Sequence, residues 1–275
     1  MSQEPSSAWN DDLLRNPHAA ADKRQRIQKM FAAIAPSYDI NNRLHSLWMD
    51  QRWRKKAVKL AELKPRDRVV DVACGTGDLT LQFAYGLFDT DRTGRPLPRK
   101  GQVIGIDFTF PMLPLANDKK KFIEDTAEWP GNTERSPGLI QFVNGDALFL
   151  PLRDECCDVM SIAFGIRNVA DPAAALREFH RVLRPGGRII ILEFSLPTNR
   201  ILRSLYNFYF RKILPRTATW ISRDKTGAYK YLPESVNTFI GRDQMMSMMR
   251  DSGFDRVEQF PLTFGICVCY RGLKR

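Results

Sequence analysis

The residues best suited to chemistry sit in short polar stretches, each behind an apolar run. The first is Asp71-Val72-Ala73-Cys74-Gly75-Thr76-Gly77-Asp78. Gly75 and Gly77 let a backbone pass close to a ligand, where a Cβ would clash. A glycine loop alone is weak evidence, because dinucleotide enzymes use one too. A dinucleotide fingerprint begun at Gly75 would need glycine at position 80, where Thr80 stands. Acids flank the loop at Asp71 and Asp78, which suits a ligand with an ammonium and a sulfonium and would repel a pyrophosphate. Asp107 ends the next apolar run, where a carboxylate can accept from both ribose hydroxyls. Taken singly, each aspartate reads equally well as a cap or turn residue. In this order they read as a site for S-adenosylmethionine. Asp146-Ala147 follows the third run, where an adenine amino group needs an acceptor, although a strand-closing turn also explains it. Arg167-Asn168 follows the fourth.

These loops need strands to carry them. Residues 68–72, 103–107, 139–144, 158–163 and 188–194 read as short buried strands, with helices at 79–87 and 172–183 and a glycine turn at Arg184-Pro185-Gly186-Gly187. Strands alternating with helices predict a doubly wound α/β fold around a mostly parallel, Rossmann-like sheet. Ile27, Met30, Phe31 and Ile34, then Trp53, Ala57, Leu60 and Ala61, recur at helical spacing and predict a helical cap over 23–63. Residues 1–22 are expected to be a flexible tail, and one domain fills 23–275. An insertion at 196–231 breaks the alternation with Leu202, Leu205, Tyr206, Phe208, Tyr209, Phe210, Ile213 and Leu214 among basic residues. A helix at 244–252 and a last strand at 263–270 follow.

The 275 residues carry 42 basic against 31 acidic side chains, a formal charge of +11. Such a balance serves nucleic acid, an anionic membrane face or an acidic substrate. The charge is spread along the chain, and no helix-turn-helix, zinc finger or RNA-stacking motif accompanies it, so nucleic acid is not the expected partner. Five cysteines without a Cys-x-x-Cys pair point to reduced thiols, with no metal site. The polar N-terminus has no apolar signal core, and no apolar run approaches about 18 residues. A cytoplasmic protein is expected, in contact with a membrane only peripherally. The aromatic insertion bordered by Arg200, Arg203, Arg211 and Lys212 suits that contact, while an ordinary helical insertion with a buried face is the alternative. The sequence leaves the oligomeric state open.

Several stretches together resemble the quinone-biosynthesis C-methyltransferases that act on demethylmenaquinone and on the equivalent ubiquinone precursor. They are Phe31-x-x-Ile34-Ala35-x-x-Tyr38-Asp39-x-x-Asn42, the 71–78 loop, Phe164-Gly165-Ile166-Arg167-Asn168-Val169-x-Asp171, and Tyr229-x-Tyr231-Leu232-x-Glu234-Ser235. Arg181 to Gly187, continued by Glu193-Phe194-Ser195, matches as well. The resemblance runs from about Ile27 to the C-terminus and implies the seven-stranded class I methyltransferase sheet. It also implies S-adenosylmethionine as cofactor, with Thr76 in the glycine loop, Asp107 on the ribose, and Asp146 with Ala147 near the adenine. The pattern departs from the family at Cys74, where a glycine is usual, at Asp50, where a histidine is usual, and at Ala163, where a serine is usual.

The reaction so implied is methyl transfer to a ring carbon of a reduced polyprenyl quinone precursor, with demethylmenaquinol preferred. The ubiquinone precursor or another phenolic or sterol-like acceptor is the alternative, and a basic nucleic-acid-binding protein is the non-enzymatic one. A hydroquinone carbon is nucleophilic where a quinone carbon is electrophilic, so the site must stabilise an oxyanion. The resemblance gives Arg167 a part in deprotonating the quinol, with Asn168 beside it. Arginine keeps its proton in proteins, so stabilisation of a phenolate is the easier role. A purely structural salt bridge from Arg167 to Asp171 is the competing expectation.

Overall fold

The computed structural model describes residues 8–87, 101–125, 139–222 and 224–275. Helices α1 (Asp11–Leu14), α2 (Lys23–Ile34), α3 (Tyr38–His45) and α4 (Met49–Leu60) come first. They lead into β1 (Arg68–Val72), α5 (Asp78–Leu87), β2 (Gln102–Asp107), α6 (Met112–Asp125), β3 (Ile140–Asn144), β4 (Cys157–Ala163), α7 (Pro172–Val182) and β5 (Leu183–Phe194). Then come α8 (Arg200–Phe208), a π-helical turn at Tyr209–Ile213, α9 (Leu214–Ser222) and α10 (Ala228–Thr238). The chain ends with α11 (Arg242–Asp251), β6 (Phe254–Leu262) and β7 (Cys267–Lys274).

The seven strands form one sheet in the order β3-β2-β1-β4-β5-β7-β6. Strands β1 to β5 pair in parallel, and β7 lies antiparallel to both of its neighbours. Helices cover both faces, so the central strands are buried nearly throughout and read as continuous apolar runs. Ile106, Met160, Ile189 and Phe179 fill the core on one face, and Val69, Phe83, Val103 and Ile190 on the other. The strand order reverses between β1 and β4, which places the crevice for a ligand beyond their carboxyl ends.

The expected strands form within a few residues of their expected limits, with informative differences. β5 begins before the glycine turn, with Gly186 at φ +77 and a register shift against β4. The last strand starts at Cys267, because Thr263–Gly265 makes a 3-10 turn. β6 was not anticipated. It is an edge strand whose charged residues Asp255, Arg256 and Glu258 blur the pattern, and an edge tolerates Pro261.

The largest difference lies at the N-terminus. The flexible tail expected at 1–22 is packed from Ala8 onward: Ala8, Trp9 and Leu14 are buried. They share a third core with Ile27, Met30, Phe210, Tyr229 and Tyr231, so the arm and the insertion form one cap over the sheet. The polar stretches at 89–101 and 124–138 fall almost entirely outside the described residues. No helix among the described residues is long and apolar enough to cross a membrane.

Candidate active site

A cavity opens beyond the ends of β1 to β4. Backbone turns shape it. Ala73 after β1 and Phe164 after β4 both take positive φ, +52 and +57, an uncommon conformation for residues with a Cβ and a recurrent feature of ligand sites. Gly75 has φ +55, and a Cβ there would meet only Tyr38, at 3.9 Å. The glycine therefore leaves room for a ligand, since both residues line the cavity.

Asp107 stands at the cavity wall, 7% exposed. Its Oδ2 accepts the Gly75 N–H at 2.8 Å and its Oδ1 the Thr109 N–H at 2.7 Å. Burial pushes its pKa up, while those amides pull it back toward the charged form. An ionised carboxylate keeps further lone pairs for a diol. Asp146 accepts the Leu148 N–H at 3.0 Å and pairs with Arg24 of α2 at 2.6 Å. Arg24 lies 4.5 Å over the Phe108 ring, so α2 closes that end of the cavity. Ile27, Val72, Met112, Ala147 and Leu148 supply apolar wall. A carboxylate at one end, apolar walls and space beside a glycine fit S-adenosylmethionine.

A second cavity adjoins the first and shares Phe31, Tyr38 and Phe164 with it. Its walls are largely aromatic and aliphatic, including Ile34, Phe194, Tyr229, Tyr231 and Leu232, with Arg167 among them. Arg167 is buried. Its Nη1 donates to Glu193 Oε1 at 2.6 Å and to the Phe164 carbonyl at 2.7 Å, and its Nε to Ser235 Oγ at 3.3 Å. Burial pushes the Glu193 carboxyl up, and the Arg167 guanidinium with two backbone N–H groups opposes the shift. Asn168 lines the first cavity instead, giving its Nδ2–H to the Phe164 carbonyl and accepting the Tyr231 hydroxyl at 2.8 Å. The two residues thus stand on either side of the shared threshold.

The structural alternative for Arg167 is corrected in its partner. Asp171 does not pair with it; Asp171 caps α7 by accepting the Ala174 N–H at 2.9 Å. Glu193 takes the place expected of Asp171, and its signal was an acid ending the apolar run Ile189-Ile190-Ile191-Leu192.

The glycine loop also divides differently from its sequence reading. Thr76 gives its hydroxyl to Asp39 at 2.6 Å and receives Lys119 at 3.2 Å, and it is not among the lining residues. Gly77 is not among them either; a Cβ there would strike Phe142 at 2.8 Å, so its glycine serves packing. The flanking acids spend their charge elsewhere. Asp71, pushed up to about 6 by burial, accepts from Ser161 and Thr80. Burial would raise Asp78 too, but Arg54, Lys119 and Arg43 hold it well below the usual carboxylate range. Asp39, Lys119, Asp78, Arg43, Asp50 and Arg54 form a ladder of ion pairs that ties α3 and α4 to α5 and α6. The charge argument for the cofactor therefore rests on Asp107 rather than on Asp71 and Asp78.

The sheet order and a cavity at its switch point walled by Gly75, Asp107 and Asp146 define a class I S-adenosylmethionine-dependent methyltransferase. A Thermotoga maritima S-adenosylmethionine-dependent methyltransferase, described as a possible histamine N-methyltransferase, shares the fold. It has a TM-score of 0.53 at 20% identity and matches over 90% of this chain and 100% of that one. A Haloferax volcanii putative methyltransferase, solved with its Trm112 activator, has a TM-score of 0.56 at 18% identity, over 88% of this chain and 96% of that one. The ubiE/COQ5 methyltransferase family matches residues 19–274. The "Ubiquinone/menaquinone biosynthesis C-methyltransferase UbiE" of Geobacter sp. (strain M21) is 42% identical over 257 residues, 94% of this chain and all of that protein. The "Demethylmenaquinone methyltransferase" of Deinococcus radiodurans is 39% identical over 254 residues, 92% of this chain and 95% of that protein. The chain belongs to the ubiE/COQ5 family and is an S-adenosylmethionine-dependent C-methyltransferase of ubiquinone or menaquinone biosynthesis.

Proposed function

We propose that the enzyme methylates demethylmenaquinol at a ring carbon. The observation that carries this reading is the aromatic cavity around Arg167, joined to the cofactor cavity through Phe31, Tyr38 and Phe164. Walls of Phe31, Phe164, Phe194 and Tyr229 suit a flat apolar ring, and the Deinococcus relative carries the demethylmenaquinone name.

Bound S-adenosylmethionine supplies an electrophilic methyl group. Asp107 holds its ribose, Asp146 with Ala147 borders the adenine, and Gly75 gives the backbone room; Thr76 and Gly77 set the loop's shape. The quinol gives its phenolic proton to solvent, and Arg167, anchored by Glu193, stabilises the phenolate so formed; once methylated, the ring carbon passes its own proton to that oxygen, which restores the aromatic hydroquinone. Asn168, fixed by Tyr231, orients the ring or a water at the threshold. Tyr38 and Phe164 exclude water and keep the nucleophilic carbon facing the first cavity.

The acceptor comes from a bilayer, and the cap has a surface suited to reach it. No residue of α8 is buried, and its Ile201, Leu205 and Phe208 are 72%, 63% and 62% exposed along one helical stripe. Trp220 on α9 and Leu47 and Trp48 after α3 add exposed apolar area, with Arg200, Arg203 and Lys212 beside it. An in-plane helix of this kind binds an anionic leaflet through both terms. Leu205→Glu with Phe208→Glu should abolish sedimentation with anionic vesicles and leave the melting temperature unchanged; equal binding would remove α8 from the membrane face.

Anaerobic incubation with labelled cofactor and a panel of reduced and oxidised quinones, read by mass spectrometry, tests the acceptor. Label should enter reduced demethylmenaquinol. Equal turnover of the oxidised quinone, or preference for the ubiquinone precursor, would overturn the assignment.

A further inference from the structure

The residues that hold Arg167 and Asn168 are themselves held by the segment at 8–22. Trp9 stacks on Tyr231 with ring centroids 4.5 Å apart and 28° between planes. The Tyr231 hydroxyl donates to Asn168 at 2.8 Å. His18 hydrogen-bonds the Ser235 carbonyl through Nε2 at 2.8 Å, and the Ser235 hydroxyl accepts Arg167 Nε. At the head of α2, the buried Lys23 gives Nζ to the Val169 carbonyl at 2.7 Å, just past the same loop. The segment is anchored in turn: Arg26 donates to the Ala8 carbonyl at 2.6 Å and the Trp9 N–H to the Thr226 carbonyl at 3.2 Å.

We propose that the N-terminal arm at 8–22 is a positioning element of the active site, with Trp9 setting Asn168 through Tyr231 and His18 setting Arg167 through Ser235. The proposal rests on the reading of Arg167 and Asn168 as the catalytic pair flanking the threshold between the two cavities. Trp9 is not among the residues lining either cavity, so it acts only through the groups it orients. Both routes run through α10, which supplies Tyr231 and Ser235. An unsupported α10 would let Tyr231 leave Asn168 and let the Arg167 fork swing about its Glu193 contact. Rate then falls because the donors no longer face the developing oxyanion, while Gly75, Asp107 and Asp146, which the arm does not contact, still shape the cofactor's place.

The test uses the full chain with Trp9→Ala, Trp9→Phe, His18→Ala and His18→Gln. Phenylalanine keeps a stacking face, and glutamine keeps an N–H donor. Trp9→Ala and His18→Ala should each lower kcat with the reduced quinol by at least about tenfold, the scale of a small misplacement. Cofactor Kd should stay within about twofold, and the conservative variants should recover most of the rate. Hydrogen exchange gives a readout independent of turnover: the Asn168 and Val169 amides, bonded to the Gly165 and Ile166 carbonyls, should exchange faster in Trp9→Ala while β4 amides do not. Unchanged kcat with unchanged exchange would overturn the proposal. So would parallel losses of kcat, cofactor affinity and melting temperature, which mean a merely structural arm. If the parent enzyme turns over no reduced quinone, the acceptor reading fails, and the exchange experiment still decides the arm.

Discussion

The two cavities are built from different parts of the chain. The cofactor cavity takes most of its wall from loops that directly follow β1, β2, β3 and β4, so each contributor sits at a fixed place on a rigid strand. The acceptor cavity takes its wall from α2, α3, α4, the loop after β4, the end of β5 and α10, segments spread from Met30 to Leu232. The first is a property of the sheet, the second of a cap docked onto it. Substitutions in the first should therefore change cofactor affinity, and substitutions in the second should change rate.

The largest expected effect tests the acceptor side. Arg167→Lys keeps a charge near Glu193 but loses the planar fork that reaches Glu193, Phe164 and Ser235 together. A loss in kcat on the order of 100-fold is expected, the scale of removing one donor to a developing oxyanion. Cofactor Kd should hardly move. Near-normal kcat with a lowered melting temperature would make the Arg167–Glu193 pair structural only and erase the contrast between the cavities.

Next comes its counterpart. Asp107→Ala should weaken S-adenosylmethionine by about 1.5–3 kcal/mol, the cost of losing charge-assisted hydrogen bonds. Since Asp107 also accepts the Gly75 and Thr109 amides, part of that loss reflects a loosened glycine loop. Calorimetry on Asp107→Asn separates the two, because asparagine keeps one acceptor for the loop. Unchanged affinity in both variants would take Asp107 off the ribose.

The same contrast explains what the sequence showed and what it hid. Strand-end residues are legible because the apolar run before each one announces its position: Asp107 and Asp146 fell where expected for that reason. Thr76 and Gly77 share the glycine loop, yet their side chains answer to Asp39, Lys119 and Phe142, partners about 35 or more residues away in sequence. Periodicity carries no information at that range. The arm was hidden more deeply. Its polar residues outnumber Trp9, Leu14 and Pro17, which bury only because α10 and the insertion present a face to receive them. Local composition reads such a segment as tail, and only the tertiary partner reverses the reading.

The smallest effect probes that arm through pH. His18 donates Nε2–H to the Ser235 carbonyl, and its Nδ1 is buried with no hydrogen-bond partner among the described residues. Burial comes first in lowering its pKa below the usual histidine value; Lys23 and Arg167 add positive charge nearby, and the Ser235 carbonyl opposes them. A lowered folded pKa means that the unfolded chain takes up its proton first as pH falls. Stability from neutral His18 is thus intact above about pH 6.5 and is lost progressively below it, until the folded group protonates too. The site is partly open to solvent, so the loss should stay below about 1 kcal/mol. That is about 2–4 °C in melting temperature for a domain of this size. His18→Gln keeps the donor and cannot titrate. Parent and variant should melt together at pH 8, and the parent should fall below the variant by a few degrees at pH 5. Parallel curves across that range would mean that His18 is not held neutral by the docked arm, and the arm would lose its tie to Ser235.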